Sequence, residues 1–347
     1  PAPFRWNKYP WYTPRFWDGM RTGTWLRLMA RHRWAWSPSR LHIALGSIPF
    51  LPFHSLCSRW QQWRWGAAVA ATPIRHPPLF VLGHWRAGTT FLHELLVLDP
   101  RHTCPTTYDC FSPHDFLSTG RFISRWFAFV MPRHRPMDHV LAGWDRPQED
   151  EFALLNMGLP SIYETLAFPA HGAQHLDYLD FAGLSPAERQ RWKESWLAFL
   201  RRVNFRDPRR LVLKSPPHLG RIETLLELFP DAQFVHIHRD PYEVFASSLR
   251  LWRALCQTQS LQVPPEEGWE EFVLVVFERL YAAFERQRAA IPAGHLCEVR
   301  YEDLVADPLG ALAQIYHQLG LGGLDPLRPA VQQHLDRLGP YPVGRHQ

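Results

Sequence analysis

Short apolar runs, widely spaced, recur along the chain from Pro77 onward. The run Pro78–Leu82 ends at a glycine, and similar runs follow at Leu211–Leu213, Phe234–Ile237 and Leu296–Val299. Between and after these runs, periodicity and capping residues predict helices at Thr90–Leu98, Ser185–Val203, His218–Phe229 and Trp269–Ile291. Such spacing is typical of parallel strands joined by helical crossovers. The pattern predicts an α/β fold with a mainly parallel β-sheet flanked by helices.

Residues 1–75 differ from the rest of the chain and predict a helical N-terminal extension. They carry eleven Lys or Arg and one acid, a charge of +10 within a whole-chain net charge of +5, so the remainder is −5. They also hold nine of the sixteen tryptophans. Tryptophan favours the headgroup region of a bilayer and basic residues favour anionic lipids, so one interpretation is contact with a membrane surface. Packing of the segment against the protein's own body is the alternative.

A stretch inside this extension, residues 41–58, contains no Lys, Arg, Asp or Glu. Its length reaches the lower limit for crossing a bilayer, but Pro49 and Pro52 interrupt it. Interfacial contact is therefore favoured over a transmembrane helix. The first thirty residues contain charges throughout, so no secretory signal is expected.

The composition of the 347 residues, with 46% hydrophobic and 20% charged residues, excludes a disordered or coiled-coil protein. Five scattered cysteines are too few for a disulfide scaffold and form no zinc motif, so we expect reduced thiols, a cytoplasmic location and no metal. We expect residues 76–347 to form one α/β domain. A region poor in strand signals, about residues 103–183, is expected to be a lid or insertion within it.

The first chemical motif follows the first predicted strand and reads Gly83-His-Trp-Arg86-Ala87-Gly88-Thr89-Thr90. Glycines at this spacing, between a buried strand and a helix, let backbone amides and the helix N-terminus approach an anion. A nucleoside-triphosphatase loop has lysine where Thr89 stands, so binding of a Mg²⁺-bound triphosphate is disfavoured. The motif predicts a P-loop-like core with an anion site.

The second motif follows the strand Phe234–Ile237 and reads His238-Arg239-Asp-Pro-Tyr-Glu-Val-Phe-Ala-Ser247. Arg239 at the end of a strand lies at the sheet edge where α/β proteins bind ligands. Ser247 lies about two turns along the helix that Asp240 and Pro241 begin, and its hydroxyl is placed to join the same anion.

Together these motifs resemble those of sulfotransferases that use 3′-phosphoadenosine 5′-phosphosulfate (PAPS), in particular the bacterial branch. The similarity extends through Leu211–Leu219, Phe229–Pro241 and Arg300–Leu304, and covers about residues 77–320. The resemblance implies that Arg86, Ala87, Gly88, Thr89 and Thr90 hold the 5′-phosphosulfate. It implies that Arg239 and Ser247 hold the 3′-phosphate. Lys214, at a strand end, is implied to neutralise the oxygen of the leaving phosphate.

The general base has several candidates, because branches of the family use either a histidine or a carboxylate. His218 follows Lys214 by four residues, which departs from the two-residue spacing of cytosolic animal members, and a structural role is the alternative. Asp109 follows the helix after the loop. Glu149 and Asp150 belong to three consecutive acids, a pattern typical of a solvated helix start.

The expected reaction is transfer of a sulfuryl group from PAPS to a hydroxyl of an acceptor. Aromatic residues around positions 108–129 favour a small apolar or aromatic alcohol or a lipid, while a carbohydrate stays open. We expect no nucleic-acid partner, and the sequence leaves the oligomeric state undetermined. The alternatives are a nucleotide-dependent kinase or NTPase with a P-loop, and a non-catalytic membrane-binding protein.

Overall fold

A parallel five-stranded sheet organises the structure, a computed structural model that describes residues 10, 12–132, 134 and 141–338. The strands are β1 (Leu79–Leu82), β2 (His102–Thr103), β3 (Arg210–Lys214), β4 (Gln233–His238) and β5 (Leu296–Arg300). They lie in the order β2-β3-β1-β4-β5, and every pairing is parallel. The carboxyl ends of all five strands therefore meet at one edge of the sheet.

Alternate residues of β1 enter two hydrophobic cores on opposite faces of the sheet. Phe80 and Leu82 belong to the larger core, and Leu79 and Val81 belong to the smaller one. Both faces are thus covered, as a strand that is apolar at every position requires. The predicted α/β class with a mainly parallel, helix-flanked sheet is confirmed. The short strand β2 was not predicted.

Fifteen α-helices lie in the described part of the chain. Those before β3 are α1 (Thr22–Arg31), α2 (Leu41–Ser47), α3 (Phe50–Ala70), α4 (Thr89–Leu96), α5 (Thr107–Phe111), α6 (Phe116–Trp126), α7 (Asp150–Met157), α8 (Glu164–Ala167) and α9 (Pro186–Arg206). Those after it are α10 (Ile222–Leu228), α11 (Pro241–Gln259), α12 (Trp269–Gln287), α13 (Tyr301–Ala306), α14 (Pro308–Gln318) and α15 (Arg328–Leu338).

Capping residues explain where the long helices begin. Ser185 and Glu188 form a reciprocal capping box at the start of α9, with Pro186 in the first turn.

The helix predicted at His218–Phe229 begins later in the structure than the sequence indicated. Residues Pro216–Gly220 form a 3₁₀ turn, and α10 begins only at Ile222. Two consecutive prolines remove backbone donors and shape this turn.

The N-terminal helices pack against the body of the protein along one side. Trp17 and Met29 are fully buried in the larger core. His54 on α3 is hydrogen-bonded to Asp115 at 3.0 Å, and the Gln61 side chain accepts a hydrogen bond from the Leu117 amide at 2.9 Å. Residues 1–9 and 11 of the predicted extension, and residues 339–347, lie outside the described residues.

Candidate active site

The loop between β1 and α4 has a backbone shape that glycine permits. Gly88 has φ of 97°, and a Cβ there would overlap the ring of Tyr301. Gly83 has φ of 155°, and a Cβ there would lie 2.6 Å from the Ile237 carbonyl oxygen. Gly88 is also the N-cap of α4 and has no side chain to cap it. The first amides of α4 and its positive dipole end thus have no side-chain cap, an arrangement that suits an anion.

The two anion motifs, more than 150 residues apart in sequence, converge on Arg86. Its Nε donates to Ser247 Oγ at 2.9 Å, and its carbonyl oxygen accepts from Arg239 Nη1 at 3.3 Å, across sequence separations of 161 and 153 residues. Arg86 has φ of 70°, an uncommon conformation for a side-chain-bearing residue. The guanidinium of Arg239 lies 4.5 Å from the ring centroid of Tyr301, which holds it by a cation–π contact.

Lys214, the last residue of β3, makes an ion pair with Glu149 beside the loop. Lys214 Nζ lies 2.7 Å from Glu149 Oε1 and 3.5 Å from Thr90 Oγ1. Both members of the pair are buried. A cation and a carboxylate are therefore placed together beside the loop between β1 and α4.

The second oxygen of Glu149 accepts a hydrogen bond from the Tyr163 hydroxyl. That hydroxyl in turn accepts from Trp85 Nε1 at 2.9 Å. Burial, together with the neighbouring Glu149 charge and their hydrogen bond, raises the pKa of Tyr163 well above its usual value. Tyr163 therefore keeps its proton and donates it, which fixes the orientation of the Glu149 carboxylate.

An open cavity of about 1120 Å³, its mouth included, extends from this pair. Arg86, Thr89, Thr90, Lys214 and Glu149 line its polar end. Much of the remaining wall is apolar or aromatic, with residues from the N-terminal segment, α5, α7 and α11. This part of the wall includes Phe16, Phe111, Met131, Leu141, Phe152, Tyr163, Leu251, Trp252 and Leu255.

The chain is similar to known sulfotransferases. A sequence model described as the sulfotransferase family matches residues 77–326. The chain is 40% identical to omega-hydroxy-beta-dihydromenaquinone-9 sulfotransferase Stf3 from Mycobacterium bovis and to its namesake from Mycobacterium tuberculosis. Each match spans 347 residues and covers 99% of this chain and 87% of the relative.

The chain belongs to the sulfotransferase family.

Two solved sulfotransferases share the fold. Sulfotransferase STF9 from Mycobacterium avium superimposes with a TM-score of 0.64 at 20% identity, covering 89% of this chain and 79% of that one. Sulfotransferase STF1 from Mycobacterium tuberculosis H37Rv gives a TM-score of 0.61 at 23% identity, and the match covers 90% of this chain and 85% of that one.

Three consecutive acids of this sulfotransferase pair with three different cationic or imidazole side chains. Glu149 pairs with Lys214 as described. His218 Nε2 lies 2.9 Å from Asp150 Oδ2, and Arg221 Nη1 lies 2.7 Å from Glu151 Oε2. Glu151 and Arg221 are fully buried. The solvated helix start that the sequence suggested is therefore wrong, because successive residues of a helix point in directions about 100° apart and each meets its own partner.

His218 does not reach the cavity. It is completely buried, and its partner Asp150 also accepts hydrogen bonds from Ser215 Oγ and Trp196 Nε1. Burial alone would raise the pKa of Asp150, but the His218 charge and these hydrogen bonds outweigh it and lower that pKa. These contacts hold α7 against α9 and the turn after β3, and the structure does not support His218 or Asp150 as the base.

Asp109 also lies away from the cavity. Its carboxylate makes an ion pair with Arg206 and closes a capping box with Thr106 at the start of α5. Burial raises the pKa of Asp109 from its usual value. Its contacts are those of a residue that anchors α5, so the structure does not bring it together with Lys214 and the loop.

Tyr163 and Trp85 were not predicted from the sequence. Trp85 stands inside the loop motif, which was the available signal. No local sequence pattern marks Tyr163, because its contact with Glu149 depends on how the segment after α7 folds back. Among the described residues, no group of three His, Cys, Asp or Glu side chains is arranged to hold a metal ion.

Proposed function

We propose that this sulfotransferase transfers a sulfuryl group from PAPS to the hydroxyl of a lipid-like alcohol. The observation that carries the proposal is the meeting of two anion motifs at Arg86, next to the Lys214–Glu149 pair and beside a cavity with many apolar and aromatic side chains in its wall. When bound, PAPS supplies an activated sulfuryl group and a phosphate leaving group.

The hydrogen-bond donors of the site fit a nucleotide that carries phosphate groups at two separate positions. The amides at the start of α4, with the hydroxyls of Thr89 and Thr90, would hold the 5′-phosphosulfate, and Ala87 contributes its backbone. Arg239 and Ser247 would hold the 3′-phosphate, and Arg86 lies between the two positions. Guanidinium groups suit this task because they form charge-assisted, often bidentate, bonds with phosphate. A second anion position of this kind distinguishes PAPS from ATP.

Glu149 is the general base in this proposal. Its carboxylate takes the proton of the acceptor hydroxyl as the oxygen attacks sulfur in line and the bond from sulfur to the bridging phosphate oxygen breaks. Lys214 Nζ, between Thr90 and Glu149, stabilises the negative charge that grows on that bridging oxygen. Tyr163 keeps the Glu149 carboxylate oriented for the proton transfer.

An apolar alcohol of lipid type is the proposed acceptor. The aromatic and aliphatic wall of the cavity supports burial of a hydrocarbon body with one hydroxyl directed at Glu149. The mycobacterial relatives, at 40% identity, are named for an omega-hydroxylated menaquinone derivative, which is an alcohol on an apolar body.

We also propose that the enzyme works on the cytoplasmic side of the membrane. The five cysteines are all free, and three of them are buried, which suits a reducing compartment. A highly charged nucleotide donor does not cross a bilayer unaided, so the active site must face the compartment that holds it.

A transfer assay tests the proposal. The purified chain is incubated in detergent micelles with a long-chain primary alcohol and PAPS, and the sulfate ester is detected by mass spectrometry. The same mixture with Mg-ATP, and the Lys214→Met variant with PAPS, serve as controls. We expect ester formation from PAPS by the wild-type chain only. A phosphate ester from Mg-ATP without sulfuryl transfer would contradict the proposal.

A further inference from the structure

The outer sides of α2 and α3 are unusually apolar for a protein surface. On the inner side of α3, His54 and Gln61 bond to the body of the protein as described above. The outward side chains of the two helices and the link between them are large and exposed. They are Leu41, Leu45, Ile48, Phe50, Phe53, Leu56, Trp60 and Trp63.

A second exposed aromatic group lies on the neighbouring helix. Phe122, Trp126, Phe127 and Phe129, on α6 and the turn after it, are 39% to 70% exposed. The Gln61 side chain on α3 accepts from the Leu117 and Ser118 amides at 2.9 and 3.3 Å, at the start of α6. The two exposed groups therefore belong to helices that are fastened together. We name them jointly the aromatic surface.

The charges on these helices are of one sign. Arg59 and Arg64 on α3, and Arg121 and Arg125 on α6, are exposed. The sequences of α2, α3 and α6 contain no Asp or Glu. Aromatic side chains interleaved with arginine match the interfacial region of a bilayer, where indole rings settle at headgroup level and cations meet anionic lipid.

The aromatic surface continues to the rim of the cavity. Met131 and Pro132 lie two and three residues after Phe129 and line the cavity, and Leu141 both lines it and is 42% exposed. The Phe127 carbonyl oxygen accepts from Trp144 Nε1 at 3.0 Å, which anchors the turn to the body. The aromatic surface and the cavity rim are thus joined through the segment Phe127–Pro132.

We propose that the aromatic surface docks on a bilayer containing anionic lipids and that the acceptor enters the cavity from that bilayer. The second half of this inference rests on the proposed function, whereas docking does not. Exposure of so many large apolar side chains on a soluble protein marks an interaction site, and the uniformly positive charge beside them favours an anionic lipid surface as the partner.

Docking here is peripheral. By length and composition the helical segment Pro38–Ala70 is apolar enough to cross a membrane, and a third of its most apolar stretch is buried in the protein. The bonds from His54 to Asp115 and from Gln61 to α6 hold α3 against the body. A spanning helix that includes His54 and Gln61 would have to break these bonds and expose their polar groups to hydrocarbon.

Vesicle sedimentation of the full chain tests the inference. The vesicles consist of phosphatidylcholine alone or of phosphatidylcholine with phosphatidylglycerol. The variants are Trp63→Ser with Trp126→Ser, and Arg59→Gln with Arg125→Gln. A matched control carries Leu274→Ser with Val275→Ser, which are exposed apolar residues on α12. Stabilisation by 3′-phosphoadenosine 5′-phosphate is measured on each variant to show that the fold and the nucleotide site are intact.

The wild-type chain should bind the anionic vesicles more tightly than the neutral ones. The tryptophan variant should bind about tenfold more weakly or worse, the arginine variant should lose the preference for anionic lipid, and the control should match the wild type. Absence of wild-type binding, or equal losses in the control, would overturn the inference. So would a concentration-dependent dimer that the tryptophan variant breaks without any vesicle binding. Vesicle binding without nucleotide binding would instead leave docking standing and contradict the proposed function.

Discussion

Arg239→Ala should weaken binding of nucleotides that carry a 3′-phosphate and leave nucleotides without one nearly unaffected. In the structure Arg239 Nη1 donates to the Arg86 carbonyl at 3.3 Å, and Nη2 donates to Glu243 at 3.4 Å. Both hydrogen bonds are long, and the Glu243 carboxylate is more than a third exposed. The N–H groups of Arg239 can therefore turn to an incoming phosphate, because breaking these two hydrogen bonds costs little free energy.

The size of the loss follows from the bond that disappears. A hydrogen bond between a guanidinium and a charged acceptor contributes about 1.5–3 kcal/mol. Each 1.4 kcal/mol corresponds to about tenfold in affinity, so the dissociation constant of 3′-phosphoadenosine 5′-phosphate should rise about 10- to 150-fold. Adenosine 5′-phosphate lacks only the 3′-phosphate, and its affinity should change little.

Isothermal titration calorimetry with both nucleotides measures the two affinities. Arg253→Ala is the matched control, because Arg253 lies on α11, the helix that begins just after Arg239, and makes an exposed ion pair with Glu270 at 3.7 Å. The Arg253→Ala variant should bind both nucleotides as tightly as the wild type does. Equal losses for the two nucleotides in Arg239→Ala would show a general disturbance of the site. That result, or no loss at all, would refute the assignment of Arg239 to the 3′-phosphate.

The remaining predictions concern turnover and acid stability. Lys214→Met should lower kcat by about 100-fold or more while the affinity for 3′-phosphoadenosine 5′-phosphate changes less, because its charge acts on the developing leaving group; equal losses would indicate a binding role. Glu149→Gln should lower kcat by about 100-fold or more with the nucleotide still bound, since the amide cannot take a proton; unchanged turnover would exclude it as the base. Burial opposes ionisation of Glu164, but its bonds to His175, His32 and Arg31 outweigh that and lower its pKa from 4.5 to about 2. The ionised Glu164 thus contributes about 3 kcal/mol of stability, fully present above pH 4.5 and lost as the pH falls toward 2. Chemical denaturation should show Glu164→Gln less stable than the wild type at pH 7, with the gap closing in acid; a gap independent of pH would contradict this.

The sheet and the anion loop were predictable because their signals are local. The apolar run of β1, the glycines at positions 83 and 88 and the Asp-Pro start of α11 each specify backbone structure within a few residues. Parallel strand order then brings the carboxyl ends of β1, β3 and β4 together. That geometry places Arg86, Lys214 and Arg239 at the same edge, as the motifs indicated.

The choice of base was not predictable because it depends on distant packing. Glu149, Asp150 and Glu151 look equivalent in sequence, yet the direction of α7 gives each a different partner on or after β3. His218 looked suited to the cleft from its spacing to Lys214. The 3₁₀ turn after β3 directs it inward to Asp150 instead, and no local pattern distinguishes these outcomes.

Selective recognition of a 3′-phosphorylated nucleotide is the central claim. The most direct test is the thermal stabilisation of the purified protein by 3′-phosphoadenosine 5′-phosphate, beside ADP and Mg-ATP at the same concentration. A ligand at about 100 times its dissociation constant adds ~2.7 kcal/mol to the folded state. We predict clear stabilisation by the 3′-phosphorylated nucleotide and little by the other two. Stabilisation by Mg-ATP alone would contradict the account and favour a kinase or NTPase.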